Sequence, residues 1–227
     1  FTYANPQIVK LDGIRGKFYS KRLYHAVVSF ITDFAKNEEV LNWLARERFG
    51  IQFVKPSEFA QIFEEENATF MGDDNSNFQD FYKTEKLEIL GMFEELPEGF
   101  HKQEGLKYLV RRIDGQEHPD PTYKPAAAIA WTGLKTTEFM SKAFIGGNLS
   151  DTRRLILHEK AHFLWAYAFD QELKDDWTEV GGWFEDPTSG SGWSTSQTTG
   201  FVSPYAHLLN PNEDMAESIA YYLTNPD

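Results

Sequence analysis

The chain has 227 residues, of which 41% are hydrophobic, enough for one sizeable core within a single domain. Its net charge of −13 opposes binding to polyanions such as nucleic acid and favours a neutral or basic partner such as a peptide. The absence of cysteine excludes disulfides and thiolate zinc sites, so any metal must take nitrogen and oxygen ligands. No apolar run of about 18 residues occurs, so no membrane span is predicted. Because the sequence lacks an initiator Met and a signal-peptide pattern, we expect a domain excised from a longer protein.

The N-terminal part, residues 1–105, is predicted to be mostly helical. Apolar residues recur there at spacings of three and four, which is typical of amphipathic helices, and Gly50 suits a helix stop. A polar segment rich in Gly, Asp and Asn, at 71–81, is predicted to be a loop. The helices predicted in this part are 18–37, 38–50 and 56–66.

The remainder, residues 106–227, is predicted to combine strands and helices in an α+β fold. A helix is predicted at 152–169, where the apolar pattern takes a helical period, with Ser150 or Asp151 as its N-cap. The strands predicted before this helix are 106–113, 126–133 and 142–147.

A long segment rich in Gly, Ser and Thr, 176–206, follows that helix. Its three tryptophans favour an ordered loop over a disordered one, and packing explains them better than a role in lining a substrate cleft or binding a sugar ring. The last helix is predicted at 212–223, with Asn210 or Asn212 as its cap.

Two histidines and a glutamate interrupt the apolar sequence LILHEKAHFLWAYAF at 155–169. His158 and His162 are four residues apart, so on a helix they share a face and can bind one metal ion, with Glu159 beside them. In sites of this HExxH pattern the imidazoles bind zinc, and the carboxylate takes a proton from the water that attacks a peptide carbonyl. The alternative is that two half-exposed histidines bracket a glutamate by chance. The apolar surroundings disfavour it, because unpaired polar groups there would cost about 1–3 kcal/mol each.

A catalytic zinc usually has three protein ligands, so a third is needed. The metzincin arrangement is excluded, since it requires Gly and His where this chain has Trp165 and Ala168. A carboxylate on a second helix is the alternative, and the sequence NEDMAES supplies Glu213 and Glu217 on one face. Either of them could be the ligand, and both could instead belong to a solvated acidic face.

The two motifs, in this order and separation, resemble those of gluzincin metallopeptidases. The segment FVSPYAHLLNPNEDMAES, residues 201–218, is similar to the corresponding stretch of secreted enzymes of the anthrax lethal factor and Pro-Pro endopeptidase type. The resemblance implies that Glu213 binds zinc, that Glu217 orients His158, and that Tyr205 points at the substrate oxyanion. It also implies a zincin-like fold, with a twisted mixed sheet, an active-site helix and a mostly helical C-terminal part.

The resemblance covers about residues 127–223 and has departures. Lys160 stands where the family usually has an apolar residue, and we expect it to face solvent; Ala161 replaces the usual Gly. Tyr205 lies one residue further from Glu213 than in the relatives, and His207 is a rival for its role or for a ligand position. An edge strand that pairs with extended substrate is implied upstream of the motif, at 126–133 or 142–147.

The sequence is therefore interpreted as a single metallopeptidase domain, a zinc-dependent endopeptidase acting on a protein or peptide. One zinc ion is expected on His158, His162 and Glu213, with Glu159 and Tyr205 as the catalytic residues. Extracellular action is implied by the resemblance. Two alternatives stay open, namely a catalytically inactive zincin-type module that recognises glycan or protein, and a structural metal site, which would not need Glu159.

Overall fold

The computed structural model describes residues 39–65, 75–96, 100–145 and 149–225, so the helix predicted at 18–37 lies outside the described residues. The chain divides into two compact units. The first contains the described residues up to Gln52 together with Tyr82–Lys102, and the second contains Phe53–Phe81 and the residues from Gln103 onward. Among the residues that the structure describes, none of the helices has the length and apolar character needed to span a bilayer.

The described residues form both helices and strands, which confirms the predicted mixture of the two. The α-helices are, in chain order, α1 (Glu39–Leu44), α2 (Phe59–Glu65), α3 (Lys83–Glu95), α4 (Leu149–Phe163), α5 (Gln171–Val180), α6 (Pro204–Leu208) and α7 (Pro211–Thr224). The strands are β1 (Gln52–Phe53), β2 (Phe78–Gln79), β3 (Tyr108–Arg112), β4 (Ala128–Trp131), β5 (Thr136–Phe139), β6 (Trp183–Glu185) and β7 (Trp193–Thr195).

The described part of the first unit contains α1, which lies in the predicted helix 38–50, and α3, which was not among the predicted helices. Helix α1 continues as a π-helical turn that ends at Gly50, whose φ of 68° is a backbone conformation that favours glycine. The buried ring of Phe49 packs edge-on against Phe93 of α3, with ring centroids 5.6 Å apart. Arg48 and Glu94 form an ion pair between the same two helices, with a nitrogen–oxygen distance of 2.6 Å.

The second unit contains a mixed sheet in the order β1-β3-β5-β4, with β2 also paired to β3. Strands β3 and β5 are parallel, whereas β4 runs antiparallel to β5. The predicted strands 106–113 and 126–133 are confirmed as β3 and β4. Strand β4 lies at one end of this order, so its outer side pairs with no other strand among the described residues.

One predicted strand is wrong, and β1, β2, β5, β6 and β7 were not predicted. Residues 142–147 were predicted to be a strand, but the described part, up to residue 145, contains the end of the short 3-10 turn Ser141–Ala143 and no strand. The strand is instead β5, whose sequence TTEF does not alternate because all four residues are buried. Its Glu138 is tolerated inside because Arg112 donates to it at 2.7 Å and the indole of Trp131 donates at 2.9 Å.

The predicted helix 152–169 is present as α4 followed by a π-helical turn, Leu164–Ala168. It begins at Leu149, so Ser150 and Asp151 lie inside the first turn, and their prediction as N-caps is wrong. Helix α4 packs mainly against α7 and also contacts β4. The last helix was predicted at 212–223 and is α7, whose N-cap Asn210 accepts the backbone N–H of Glu213 at 3.0 Å.

The segment 176–206 is more regular than the predicted loop. It contains the end of α5, the antiparallel hairpin of β6 and β7, and helix α6. Two of its tryptophans pack inward, because the indole N–H groups of Trp177 and Trp183 both donate to Oδ2 of Asp214 in α7, at 3.1 and 3.2 Å. This one buried carboxylate therefore connects α5 and the hairpin to α7.

Replacing Asp214 with Ala should destabilise the metal-free protein by about 2–4 kcal/mol, because two indole N–H groups would lose their acceptor. Urea unfolding of the metal-free protein measures this, since bound metal would add its own stabilisation. Asp214→Asn keeps an acceptor oxygen and should cost only about 1 kcal/mol. A loss below about 0.5 kcal/mol for Asp214→Ala would contradict this connecting role.

Candidate metal centre

The two motif histidines lie on the face of α4 that meets α7. His158 and His162 are both buried, and their rings meet edge to face with centroids 4.8 Å apart. The four-residue spacing places them one turn apart on the same side of the helix. Their Nε2 atoms are 3.1 Å apart, so both point at one place between the helices.

Glu213 approaches the same place from α7. Its Oε2 lies 3.1 Å from Nε2 of His158 and 3.7 Å from Nε2 of His162. The cap by Asn210 fixes the first turn of α7, and Glu213 stands in that turn. Among the described residues, His158, His162 and Glu213 are the group whose ligand atoms all lie close enough together to hold a metal ion.

The dimensions of this cluster suit a small tetrahedral ion. Zinc ligands lie about 2.0–2.1 Å from the ion, so neighbouring ligand atoms of a tetrahedral site are about 3.3–3.4 Å apart. The three distances in the cluster, 3.1, 3.1 and 3.7 Å, bracket that value. Two imidazole nitrogens with one carboxylate oxygen is also a donor set that zinc accepts.

The outer nitrogen of each imidazole faces an oxygen. Nδ1 of His158 lies 3.1 Å from Oε1 of Glu217, and Nδ1 of His162 lies 3.1 Å from Oδ1 of Asn212. Oxygens at these positions favour the tautomers that carry the proton on Nδ1, which leaves the Nε2 lone pairs directed at the cluster. Oxygen atoms outside the cluster thus orient both rings for metal binding.

Burial and neighbouring charges act in opposite directions on the pKa values of His158 and Glu213. Burial disfavours the charged form of His158, but the carboxylates of Glu213 and Glu217 outweigh it and raise the pKa of His158 to about 10. Burial likewise acts to raise the pKa of Glu213, yet the neighbouring imidazoles bring it below its ordinary value. In the metal-free protein, a proton on Nε2 of His158 occupies the lone pair that a metal ion would need. Protons and metal therefore compete for this nitrogen.

Glu217 has contacts on both of its oxygens. Besides His158, it receives hydrogen bonds from Arg154 and from the hydroxyl of Ser203, the latter at 2.7 Å. Burial acts to raise the pKa of Glu217, but these three partners lower it to about 2. It stands at the outer nitrogen of His158 and is not one of the three clustered ligands.

Glu159 lies next to the cluster on α4 and is 6% exposed. Burial raises its pKa, while the two motif histidines and a hydrogen bond from the backbone N–H of Ala130 act in the opposite direction. A carboxyl held in such surroundings can exchange a proton near neutral pH more readily than an exposed one. The contact also places Glu159 beside strand β4.

Tyr205 stands on α6 at the exposed side of the cluster. Its ring meets that of His158 at 5.8 Å between centroids, and its phenol donates a hydrogen bond to Glu213. Burial and the surrounding carboxylates raise the pKa of Tyr205, so the phenol stays protonated and able to donate. It is nevertheless 47% exposed, which leaves part of it accessible to a ligand.

No known protein family, curated protein or solved structure matches this chain. Its function must therefore be inferred from the chemistry of the cluster itself. The structure brings all six residues singled out in the sequence to one place, namely His158, Glu159, His162, Tyr205, Glu213 and Glu217.

Lys160 is not where the sequence predicted it, and His207 does not take the role for which it was considered. Lys160 was expected to face solvent but is 4% exposed, and burial lowers its pKa to about 7. Ala161 beside it is 1% exposed, so the packing at this position accommodates its methyl group. His207, the rival of Tyr205, has its Nε2 3.0 Å from the carbonyl of Gln197 and its ring against Phe201, and it is not part of the cluster.

Four contributors to the site were not found from the sequence: Asn212, Arg154, Ser203 and the backbone of Ala130. Asn212 had a usable signal, since it directly precedes the candidate ligand Glu213 and was considered only as a cap. Arg154 also had a signal, since it precedes His158 by four residues, the spacing that separates the two motif histidines. Ser203 and Ala130 lie on other elements, and no spacing rule connects them to the motifs.

Proposed function

We propose that this chain is a zinc-dependent endopeptidase with a zincin-like fold and a gluzincin-type site. The observation that carries the proposal is the convergence of His158, His162 and Glu213, with both imidazoles oriented from outside, beside the buried carboxylate of Glu159. The resemblance of the two motifs to those of secreted metallopeptidases supports the same assignment and an extracellular location.

The composition of the site favours catalysis over a structural role for the metal. Structural zinc sites are closed by four protein ligands, whereas catalytic sites have three and keep one position open. Three ligands cluster in the described part of this chain. Glu159 and Tyr205 flank them without being part of them, and a structural site would need neither.

Each residue has a distinct task in peptide hydrolysis. When bound, zinc supplies Lewis-acid chemistry, which polarises the scissile carbonyl and acidifies water. Glu159 accepts the proton of the attacking water and then donates it to the leaving amine. Tyr205 turns its phenol from Glu213 to the oxygen that becomes negative. Glu217 and Asn212 keep the imidazoles in place.

Strand β4 supplies a place for an extended substrate. Met140 N–H bonds to the carbonyl of Ala127, so in the antiparallel register the backbone groups of Ala128 and Ala130 point away from β5. Of the two segments considered for this role, 126–133 contains strand β4, whereas the described part of 142–147 contains no strand. A peptide added to this edge would run past Glu159, which already contacts Ala130.

A peptide-library cleavage assay tests the proposal. Zinc-loaded protein should produce internal cuts, read by mass spectrometry, and a chelator should stop them and added zinc should restore them. The matched control is His158→Ala, which should show no cuts under the same conditions. Binding of zinc without cleavage of any peptide would instead favour the inactive recognition module.

A further inference from the structure

The hydroxyl of Ser203 makes two contacts that belong to different parts of the site. It caps helix α6 by accepting the backbone N–H of Ala206 at 3.1 Å. It also donates to Oε2 of Glu217 in α7 at 2.7 Å. A hydroxyl has one proton to donate, and Ser203 donates it to Glu217.

The contact with Glu217 leads to the metal ligands. The other oxygen of that carboxylate, Oε1, lies 3.1 Å from Nδ1 of His158. Arg154 of α4 pairs with Oε2 as well, so this carboxylate of α7 is held in position against α4. Ser203 therefore attaches the start of α6 to the carboxylate of Glu217, which Arg154 holds beside His158.

Helix α6 needs such an attachment because it spans only five residues, Pro204–Leu208. A helix this short is not stable by itself, so its cap and its tertiary contacts determine where it lies. Tyr205 stands two residues after Ser203 on this helix. Its phenol reaches Glu213 and its ring reaches His158.

We propose that Ser203 is a positioning residue that holds Tyr205 at the metal centre through Glu217. The inference rests on the proposed peptidase function, in which Tyr205 donates to the developing oxyanion. Because the cap and the bond to Glu217 use the same hydroxyl, removing it frees α6 from α7 at the point where it carries Tyr205.

Ser203→Ala should lower kcat by about 10- to 100-fold with little change in KM, since a small misplacement of a catalytic group has an effect of that order. Ser203→Thr keeps the hydroxyl and should restore kcat. Ser203→Asp keeps a cap acceptor but has no proton for Glu217, and should remain impaired. In the Tyr205→Phe background, Ser203→Ala should cost almost nothing further, because both changes remove the same contribution.

Asp170→Ala is the matched control for loss of a cap. Asp170 caps α5 in the same unit by accepting the N–H of Leu173 at 2.9 Å, and it has no part in the cluster. Its replacement should leave kcat unchanged. An equal loss of kcat in Asp170→Ala and Ser203→Ala, or full additivity of Ser203→Ala with Tyr205→Phe, would overturn the positioning role.

A spectroscopic readout separates this inference from the peptidase proposal. In protein labelled with carbon-13 at tyrosine, the Tyr205 ring signal is assigned by its loss in Tyr205→Phe. Because the ring of His158 lies close, this signal should move in Ser203→Ala and return in Ser203→Thr, whether or not the protein cleaves peptides. A signal that stays in place in Ser203→Ala contradicts the inference, and absence of cleavage with the expected shifts contradicts the peptidase function alone.

Discussion

Glu213→Ala is expected to lose the metal, with zinc falling from about one ion per chain to near none in protein purified without chelators or nickel affinity steps. The variant removes one of the three clustered ligand atoms, at 3.1 Å from Nε2 of His158. Two imidazoles on adjacent turns then remain as the only ligands in the cluster. The loss of affinity should exceed the about 10- to 100-fold that changes around a metal's ligands cause.

Elemental analysis and titration against a competing chelator measure this effect. Glu217→Gln should weaken zinc binding by about 10- to 100-fold, because Glu217 orients His158 and is not itself one of the clustered ligands. Glu172→Ala removes an exposed carboxylate from the first turn of α5 and should leave zinc binding unchanged. Circular dichroism of each variant checks that it is folded. Full zinc occupancy in folded Glu213→Ala would reject Glu213 as a ligand.

Should Glu213→Ala fail to fold, Glu213→Gln provides a second measurement. The amide keeps the size of the side chain and one acceptor oxygen, but it has no charge to offer the ion. Zinc affinity should therefore fall in this variant too, by a smaller factor than in Glu213→Ala. An affinity equal to that of the unchanged protein would contradict a carboxylate ligand at this position.

The parts of the site that lie on helices could be predicted from the sequence. A helix repeats its faces every few residues, so the spacing of His158 and His162 already places them together. The cap at Asn210 and the pair Glu213 and Glu217 are signals of the same local kind. That the two helices pack face to face is a tertiary fact, and the sequence could provide it only by resemblance.

Strand β5 shows why part of the sheet could not be predicted. The sequence TTEF has no alternation, because its Glu138 is buried by an ion pair with Arg112, 26 residues earlier in the chain. Lys160 is a similar case, since a charged residue beside the motif was expected in solvent and is buried. Local pattern rules assign charged residues to the surface and fail where a distant partner or the packing decides otherwise.

The hairpin of β6 and β7 was missed for a compositional reason. Its Gly- and Ser-rich sequence is typical of a loop, and its strands have only three residues each. What orders it is the contact of Trp183 with Asp214, a side-chain hydrogen bond across 31 residues. Ser203 and Glu217 are related in the same way, by a side-chain hydrogen bond across 14 residues that no local pattern indicates.

Glu159→Gln is expected to reduce kcat/KM by about 10²–10⁴-fold while zinc stays at about one ion per chain. Glutamine has the same shape as glutamate, and its side-chain oxygen can still accept the N–H of Ala130. It cannot take a proton from water or give one to an amine. The variant therefore separates proton transfer from metal binding, which Glu213→Ala cannot do, because loss of the ion removes every later step.

The measurement compares initial rates on one peptide from the library screen with zinc content in the same sample. Glu185→Gln, an exposed carboxylate on the hairpin, is the matched control and should keep full activity. Undiminished cleavage by zinc-loaded Glu159→Gln would reject the mechanism, since an amide cannot take the proton of the attacking water. A strong loss with zinc retained would instead assign the proton transfer to Glu159, which explains why a carboxylate lies buried beside two imidazoles where an apolar residue would pack more easily.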